Sequence, residues 1–220
     1  MVTNLSFARL AASSRGALVA LGLAVAAAAL PAQEGPSGPL SAFASQRIIV
    51  LPVQMLRGDS AAWVTGATWE KFRRELDDSI ASALSDRGIG RRWAYAPEIA
   101  RQSKRNALYV NDPYAIGAQP LRGMAYKVND RMPDMMASNL RTLIALSDAR
   151  FALVPIELVF ERNGDRQRAV LRLALLDGRM TTFVFVADAI SDPGTASPGP
   201  SALAGMLGQR VADYVARRPQ

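Results

Sequence analysis

The sequence predicts an α/β domain: a mixed sheet of about five strands, opened by a βαβ pattern, closed by an antiparallel meander and flanked by helices. Three observations carry this. A helix-like pattern from Pro133 runs through Ser147-Asp148 straight into "FALVPIELVF", Phe151 to Phe160, an apolar run of strand length that reads as a central strand covered on both faces. Strand and helix patterns alternate before it. After it, Asn163-Gly164 and Asp177-Gly178 are both two-residue hairpin signals.

The folded part opens at "RIIVLPVQ", Arg47 to Gln54, a short run rich in β-branched residues that predicts a buried strand. A loop over Met55 to Thr65 follows. Trp69, Phe72, Leu76, Ile80 and Leu84 then recur at spacings of three and four, one face of a helix that Arg87-Gly88 should end. "RRWAYA", Arg91 to Ala96, alternates as a second short strand, and Pro97 suits the first turn of a helix reaching about Asn106. Met136, Leu140, Leu143 and Ile144 mark the helix after Pro133. "SDPGTASPGP", 191–200, reads as a low-complexity link, after which Ser201 should cap a terminal helix with Leu203, Leu207, Val211 and Val215 on its inner face.

The hairpin signals fix an expected register. Pairing Arg162 with Asp165 sets Ile156 opposite Leu171, Val154 opposite Leu173 and Ala152 opposite Leu175. Pairing Leu176 with Arg179 brings Val184 opposite Leu171. Both turns then put Val154, Ile156, Leu171, Leu173 and Val184 on one interior face. On the other, Arg172 should lie over Phe183 with Glu157 diagonal to Arg168 and Arg172. Pro155 has no N–H, so a gap or bulge is expected on the side away from the Leu171 strand.

Composition sets the compartment. Residues 1–32 carry only Arg9 and Arg15 as charges and contain "GALVALGLAVAAAAL", the length of a signal-peptide core, followed by small residues for cleavage after Ala32 or Ala29. A retained membrane anchor would need roughly 20 apolar residues and a basic stop. Residues 33–45, rich in Gly, Pro and Ser, read as a flexible linker, and 46–220 as a single domain. Without Arg9 and Arg15 the formal charge falls from +7 to +5, carried by the remaining 21 arginines and three lysines. That excess, in an exported chain, does not indicate nucleic acid.

The chain contains no cysteine and no histidine. That removes disulfides, a thiolate nucleophile, an imidazole base, a Cys/His zinc site and lipidation of a mature N-terminal cysteine. No phosphate loop is present, since "RGIGR" ends a helix rather than starting one, and no cofactor is expected. Asp77-Asp78 and Glu75, on a helix that also carries Lys71, Arg73 and Arg74, read as a solvated face. Asn111-Asp112 and Asn129-Asp130 read as turn formers, not metal ligands.

The order of elements resembles a broad bacterial envelope superfamily that includes the N-terminal domain of the Tol–Pal translocation protein, the curli-secretion lipoproteins and the outer-membrane activators of penicillin-binding proteins. "RIIVLPVQ", "LDDSIASALSDRGIG", "LIALSDARFALVPIELV" and "LRLALLDGRMTTFVFV" carry it, over Arg47 to Ile190. The match is to a secreted branch without the lipidated cysteine, and Val154-Pro155 stands where a glycine is frequent. The resemblance implies a non-enzymatic, periplasmic or secreted protein that binds another protein or an anionic cell-wall or outer-membrane component.

The stretch from Asn106 to Arg131 is long for a connection without regular structure, which marks it as functional or disordered. It holds Tyr109, Tyr114 and Tyr126, three of the five tyrosines, with Arg122 and Met124 between them, residue types enriched in interface cores. Together with Arg101, Lys104 and Arg105 they form the expected partner-binding set; tyrosines that merely pin the loop down are the competing reading. An exported hydrolase using carboxylates near 106–131, Asp112 or Asp130, is the alternative function.

Overall fold

A computed structural model of the protein describes residues 38–57, 66–163, 166–192 and 199–216. The expected signal segment 1–32, the first part of the linker and residues 193–198 lie outside the described residues. The strands are β1 (Ile48–Val50), β2 (Met55–Arg57), β3 (Trp93–Ala94), β4 (Phe151–Asn163), β5 (Arg166–Asp177) and β6 (Thr182–Ile190). The helices are α1 (Gly66–Ser85), α2 (Ala96–Arg105), α3 (Asp134–Leu146) and α4 (Pro200–Val215). They build a mixed sheet in the order β3-β1-β4-β5-β6, with β2 continuing alongside β4 past the end of β1. β1 runs parallel to β3 and β4, and β4, β5 and β6 form the antiparallel meander.

The abrupt helix-to-strand junction has a local cause. Asp148 takes a left-handed conformation (φ 48°), and the Ala149 and Asp148 N–H groups return to the Ile144 and Ala145 carbonyls, the six-to-one and five-to-two bonds of a Schellman cap. This stops α3 and turns the chain into β4 in four residues, Ser147–Arg150. Gly88 (φ 79°) ends α1 in the same way, with Ile89 N–H on the Leu84 carbonyl.

Each face of the sheet buries its own core. Phe72, Leu76 and Ile80 of α1 and Leu203, Leu207 and Val211 of α4 cover Leu153, Leu158, Leu171, Leu173 and Leu175. On the opposite face Met136, Leu140 and Leu143 of α3, with Ile116 and Leu121 of the long connection, cover Ala152, Val154, Ile156, Ala174 and Leu176. Both faces are apolar because both are covered, which is why Phe151 to Phe160 of β4 reads as a near-continuous apolar run, interrupted by Glu157.

The register differs from the expected one at both turns. Asn163 pairs with Arg166, so the first turn sits one residue later than predicted. Ile156 is bulged between the Pro155–Leu173 and Glu157–Arg172 pairs, and the register changes there. Beside the proline on the other edge, the ladder breaks between β1 and β2 at Leu51–Gln54, the gap expected where a ring replaces an N–H. At the second turn Asp177 is not the first turn residue. Its carboxylate accepts the Arg179 and Met180 N–H groups, Thr181 turns left-handed (φ 56°), and Asp177 pairs with Thr182 across a four-residue connection, Gly178–Thr181.

These shifts overturn the common interior face. Val154 and Ile156 point to α3, whereas Leu171 and Leu173 point to α1 and α4, and Val184 sits at a second irregularity, partly buried on the α1/α4 side. The expected Arg172–Phe183 contact is replaced. Arg172 pairs with Asp188 at 3.1 Å, and Phe183 stacks on Tyr126 at 4.7 Å. Glu157 lies directly opposite Arg172 and ion-pairs with Arg57 at 3.3 Å.

Two further expectations change. Met55–Arg57 is strand, not loop, because its parallel pairing with Glu157–Val159 resumes once the proline is passed. Ser201 is not the cap of α4: Gly199 precedes Pro200 at the first turn, and the Ser201 hydroxyl donates to Glu75 at 3.0 Å. The described end of the expected linker is docked, with Leu40 buried and its N–H on the Tyr214 carbonyl at 2.7 Å.

Candidate functional site

The long connection is anchored at four points. At the end of α2 the Ser103 hydroxyl donates to the Asn111 carbonyl at 2.8 Å and Asn106 folds its amide back on the Gln102 carbonyl. Val110 is buried, and the Tyr109 and Val110 N–H groups both return to Asn106. This tight turn drives Leu108 and Tyr109 outward, 91% and 80% exposed.

Asp112 forms an Asx turn with the Tyr114 N–H at 2.9 Å. Gln54 then grips the chain with both ends of its amide, donating to the Pro113 carbonyl at 2.9 Å and accepting the Ile116 N–H at 3.2 Å. Arg73 donates to the Tyr114 carbonyl at 3.0 Å while its guanidinium lies 4.3 Å from the Tyr114 ring centre, a cation–π contact. The Tyr114 hydroxyl donates to Asp77 at 3.1 Å. At the far end, Asn129 to Met132 run along the edge of β6, exchanging backbone hydrogen bonds with Phe183 and Thr181.

Between α1 and α2, roofed by residues 110–114, lies a cleft of about 650 Å³. Arg74, Asp77 and Asp78 line it from α1, Arg101 and Lys104 from α2, and Asp112 and Tyr114 from the connection. Asp77 is only 5% exposed. Burial pushes its carboxyl up to about 7, against the Tyr114 hydrogen bond and the Arg73 charge, which favour ionisation. Burial and the neighbouring Asp77 likewise push the Tyr114 hydroxyl up. A buried carboxyl whose pKa is raised by desolvation inside a cleft marks a candidate functional site.

Asp77 and Arg73 were expected on a solvated face and are instead buried. Their burial follows from the connection, which lies along α1 and widens its covered face beyond the Phe72–Leu76–Ile80 stripe. Arg73 and Asp77 each follow a core position by one residue and stand four apart; that spacing on the flank of an apolar stripe was the available signal.

The eight residues of the expected binding set fall into two groups. Arg101, Lys104 and Tyr114 line the cleft, and Arg105 and Tyr109 border a shallower hollow beside Lys104. Arg122, Met124 and Tyr126 sit at the other end of the connection. There Arg122 reaches to 3.5 Å from the Leu56 carbonyl and Arg172 donates to the Met124 carbonyl at 3.3 Å. Tyr114 donates to Asp77 and Tyr126 stacks on Phe183, whereas the side chains of Tyr109 and Met124 are exposed. Among the described residues no group of three carboxylates converges as a metal site would require, and no helix is long and apolar enough to cross a membrane. Asp112 and Asp130 each cap a local turn, Asp130 accepting the Lys127 N–H at 2.7 Å.

No family model and no curated protein matches the chain. Among solved structures it is similar to the PelC dodecamer from Paraburkholderia phytofirmans, at 13% identity and TM-score 0.40, over 83% of this chain and 95% of that one. It is similar also to the lipoprotein GNA1162 from Neisseria meningitidis, at 15% identity and TM-score 0.38, over 74% and 93% of the two chains. LpoB from E. coli aligns at 11% identity and TM-score 0.37, over 88% and 85%. All three are bacterial envelope proteins.

Proposed function

We propose that the chain is a non-enzymatic exported envelope protein, a periplasmic domain of the superfamily that its sequence resembles, which binds another protein or an anionic envelope polymer. The observation that carries this is the pair Leu108 and Tyr109. A leucine and a tyrosine held out into solvent, by a turn whose neighbours Asn106 and Val110 are fixed, do no packing for the fold. An ordered apolar and aromatic projection beside Lys104 and Arg105 has the composition of an interface centre with a basic rim. The charge-poor N-terminal segment supports export. The hydrolase reading has less support, because Asp112 and Asp130 are both occupied in capping turns.

The test is a double variant, Leu108→Ser with Tyr109→Ser, used as bait in affinity capture from the native envelope. Neither side chain contributes to a core, so the variant should melt with the parent while its partners are lost. Recovery of every partner that the parent captures would move the binding surface elsewhere. Mass spectrometry of the native protein should find a chain beginning near Gln33; an intact Met1 in the soluble cytoplasm would end the export reading.

A further inference from the structure

The α2 wall of the cleft is basic and the α1 wall is mixed, carrying Glu70, Arg74, Asp77 and Asp78, and no ion pair joins the two walls among the described residues. α2 offers Arg101 and Lys104, one turn apart on a single face, while α1 and the roof offer Asp78 and Asp112. Among the described residues none of these four has an ion-pair partner. The ion pairs that α1 makes lie along the helix or toward α4: Arg73 with Glu70, Lys71 with Glu75 and, past its end, Arg87 with Asp213. Opposed charges lining one cleft would gain by closing on each other, yet the connection, anchored by Gln54, Arg73 and Ser103, props the helices apart. The volume of about 650 Å³ lies within the range of small-ligand sites, and the lining between the charges is small and apolar, Pro97, Ala100 and Val110.

We propose that this cleft binds a short peptide with free ends, its carboxylate on Arg101 and Lys104 and its ammonium on the side of Asp78 and Asp112. A purely anionic ligand would be opposed by the two aspartates, and a purely cationic one by Arg101, Lys104 and Arg74. Small size follows from the volume, and the apolar lining gives the peptide's own side chains room without strong selection. The inference goes beyond the partner surface at Leu108 and Tyr109, neither of which lines the cleft.

Asp77 adds a signature. It faces Arg73 and Asp78 on its own helix, Tyr114 on the connection and a backbone hydrogen bond from Val53, with Arg101 and Lys104 lining the same cleft from α2. An ammonium seated nearby favours its carboxylate, so binding near pH 7 releases a proton, whereas an anion alone would draw one in.

The experiment passes a pool of random tripeptides over the immobilised full chain, in free, N-acetylated and C-amidated forms, and identifies what is retained by mass spectrometry. Free-ended peptides should be retained about tenfold over either capped form. Calorimetry of a retained peptide at pH 7, in two buffers of different ionisation heat, should show proton release that Asp77→Asn abolishes. Asp78→Lys and Arg101→Glu, both at exposed positions, should lose retention with an unchanged circular dichroism spectrum, and the Leu108→Ser, Tyr109→Ser variant should keep it. No retention, equal retention of capped forms, proton uptake, or loss in the Leu108/Tyr109 variant instead would each overturn the proposal. Failure there leaves partner capture through Leu108 and Tyr109 standing, and failure of that capture leaves this result untouched.

Discussion

The Tyr114 hydroxyl and the Asp77 carboxylate meet at 3.1 Å inside the wall of α1, and through that bond the 106–131 connection is tied to the first helix of the domain. Its energetics depend on pH in a defined direction. Burial raises the Asp77 carboxyl from 3.8 to about 7, so between these values the folded chain holds a proton that the unfolded chain has released.

The first prediction follows from that inequality. Asp77 contributes stability that is fully present below about pH 4 and is lost as pH rises to 7, beyond which its contribution is flat. Other carboxylates titrate over the same range, so the test is a difference: unfolding free energy of the parent minus that of Asp77→Asn, followed from pH 4 to 8. The difference should fall by an amount on the order of a few kcal/mol as pH rises, because each tenfold change in proton affinity between the folded and unfolded chain is worth about 1.4 kcal/mol before solvent relaxation reduces it. A difference that stays level, or rises, would show that Asp77 is ionised in the folded protein throughout.

The elements were legible where local chemistry decides them. The α1 stripe, the glycine stop at Gly88 and the junction at Ser147-Asp148 all act within a few residues, and each is found in place. The pairing was not, because two turns that looked equivalent are not. Asp177 prefers to cap the N–H groups of Arg179 and Met180 with its side chain, which lengthens the turn by two residues, and Ile156 is bulged out of the β4–β5 pairing in mid-strand. Both are single-residue features whose effect is to shift a register, and a shift by one residue exchanges the faces. The cleft was illegible for a different reason. Arg73 and Asp77 become buried only when a segment some forty positions later in the chain lies down on them, and nothing in α1 alone announces it.

The corrected register makes the second prediction. Ile156 and Leu175, which the expected pairing set on one face, belong to the two cores on opposite sides of the sheet, both fully buried. Ile156→Ala and Leu175→Ala should each cost roughly 2–5 kcal/mol, as large-to-small changes in tight cores do. Since the two side chains belong to separate cores on opposite faces of the sheet, the double variant should lose the sum of the two to within about 0.5 kcal/mol. A coupling well above that in urea unfolding would mean that the side chains share a core after all.

The third prediction sets two glycines of α4 against each other. A methyl group at Gly208 would stand 2.7 Å from the Ser79 carbonyl oxygen, backbone of the facing α1, whereas one at Gly205 would meet nothing within 4 Å. The carbonyl belongs to a helix packed on the sheet and cannot swing aside as a side chain would. Gly208→Ala therefore has to push α4 off α1, where the two helices share Leu76, Ile80, Leu207 and Val211 in one core, and it should destabilise by about 1–3 kcal/mol. Gly205→Ala has the opposite sign. It restricts the unfolded backbone and improves helix propensity at no steric cost, and should stabilise by roughly 0.5–1 kcal/mol. The two substitutions are chemically identical and three residues apart on one helix, so propensity alone predicts the same gain for both. Thermal melts of the pair separate the cases: equal shifts would mean that α1 and α4 do not approach as closely at Gly208 as the packing requires.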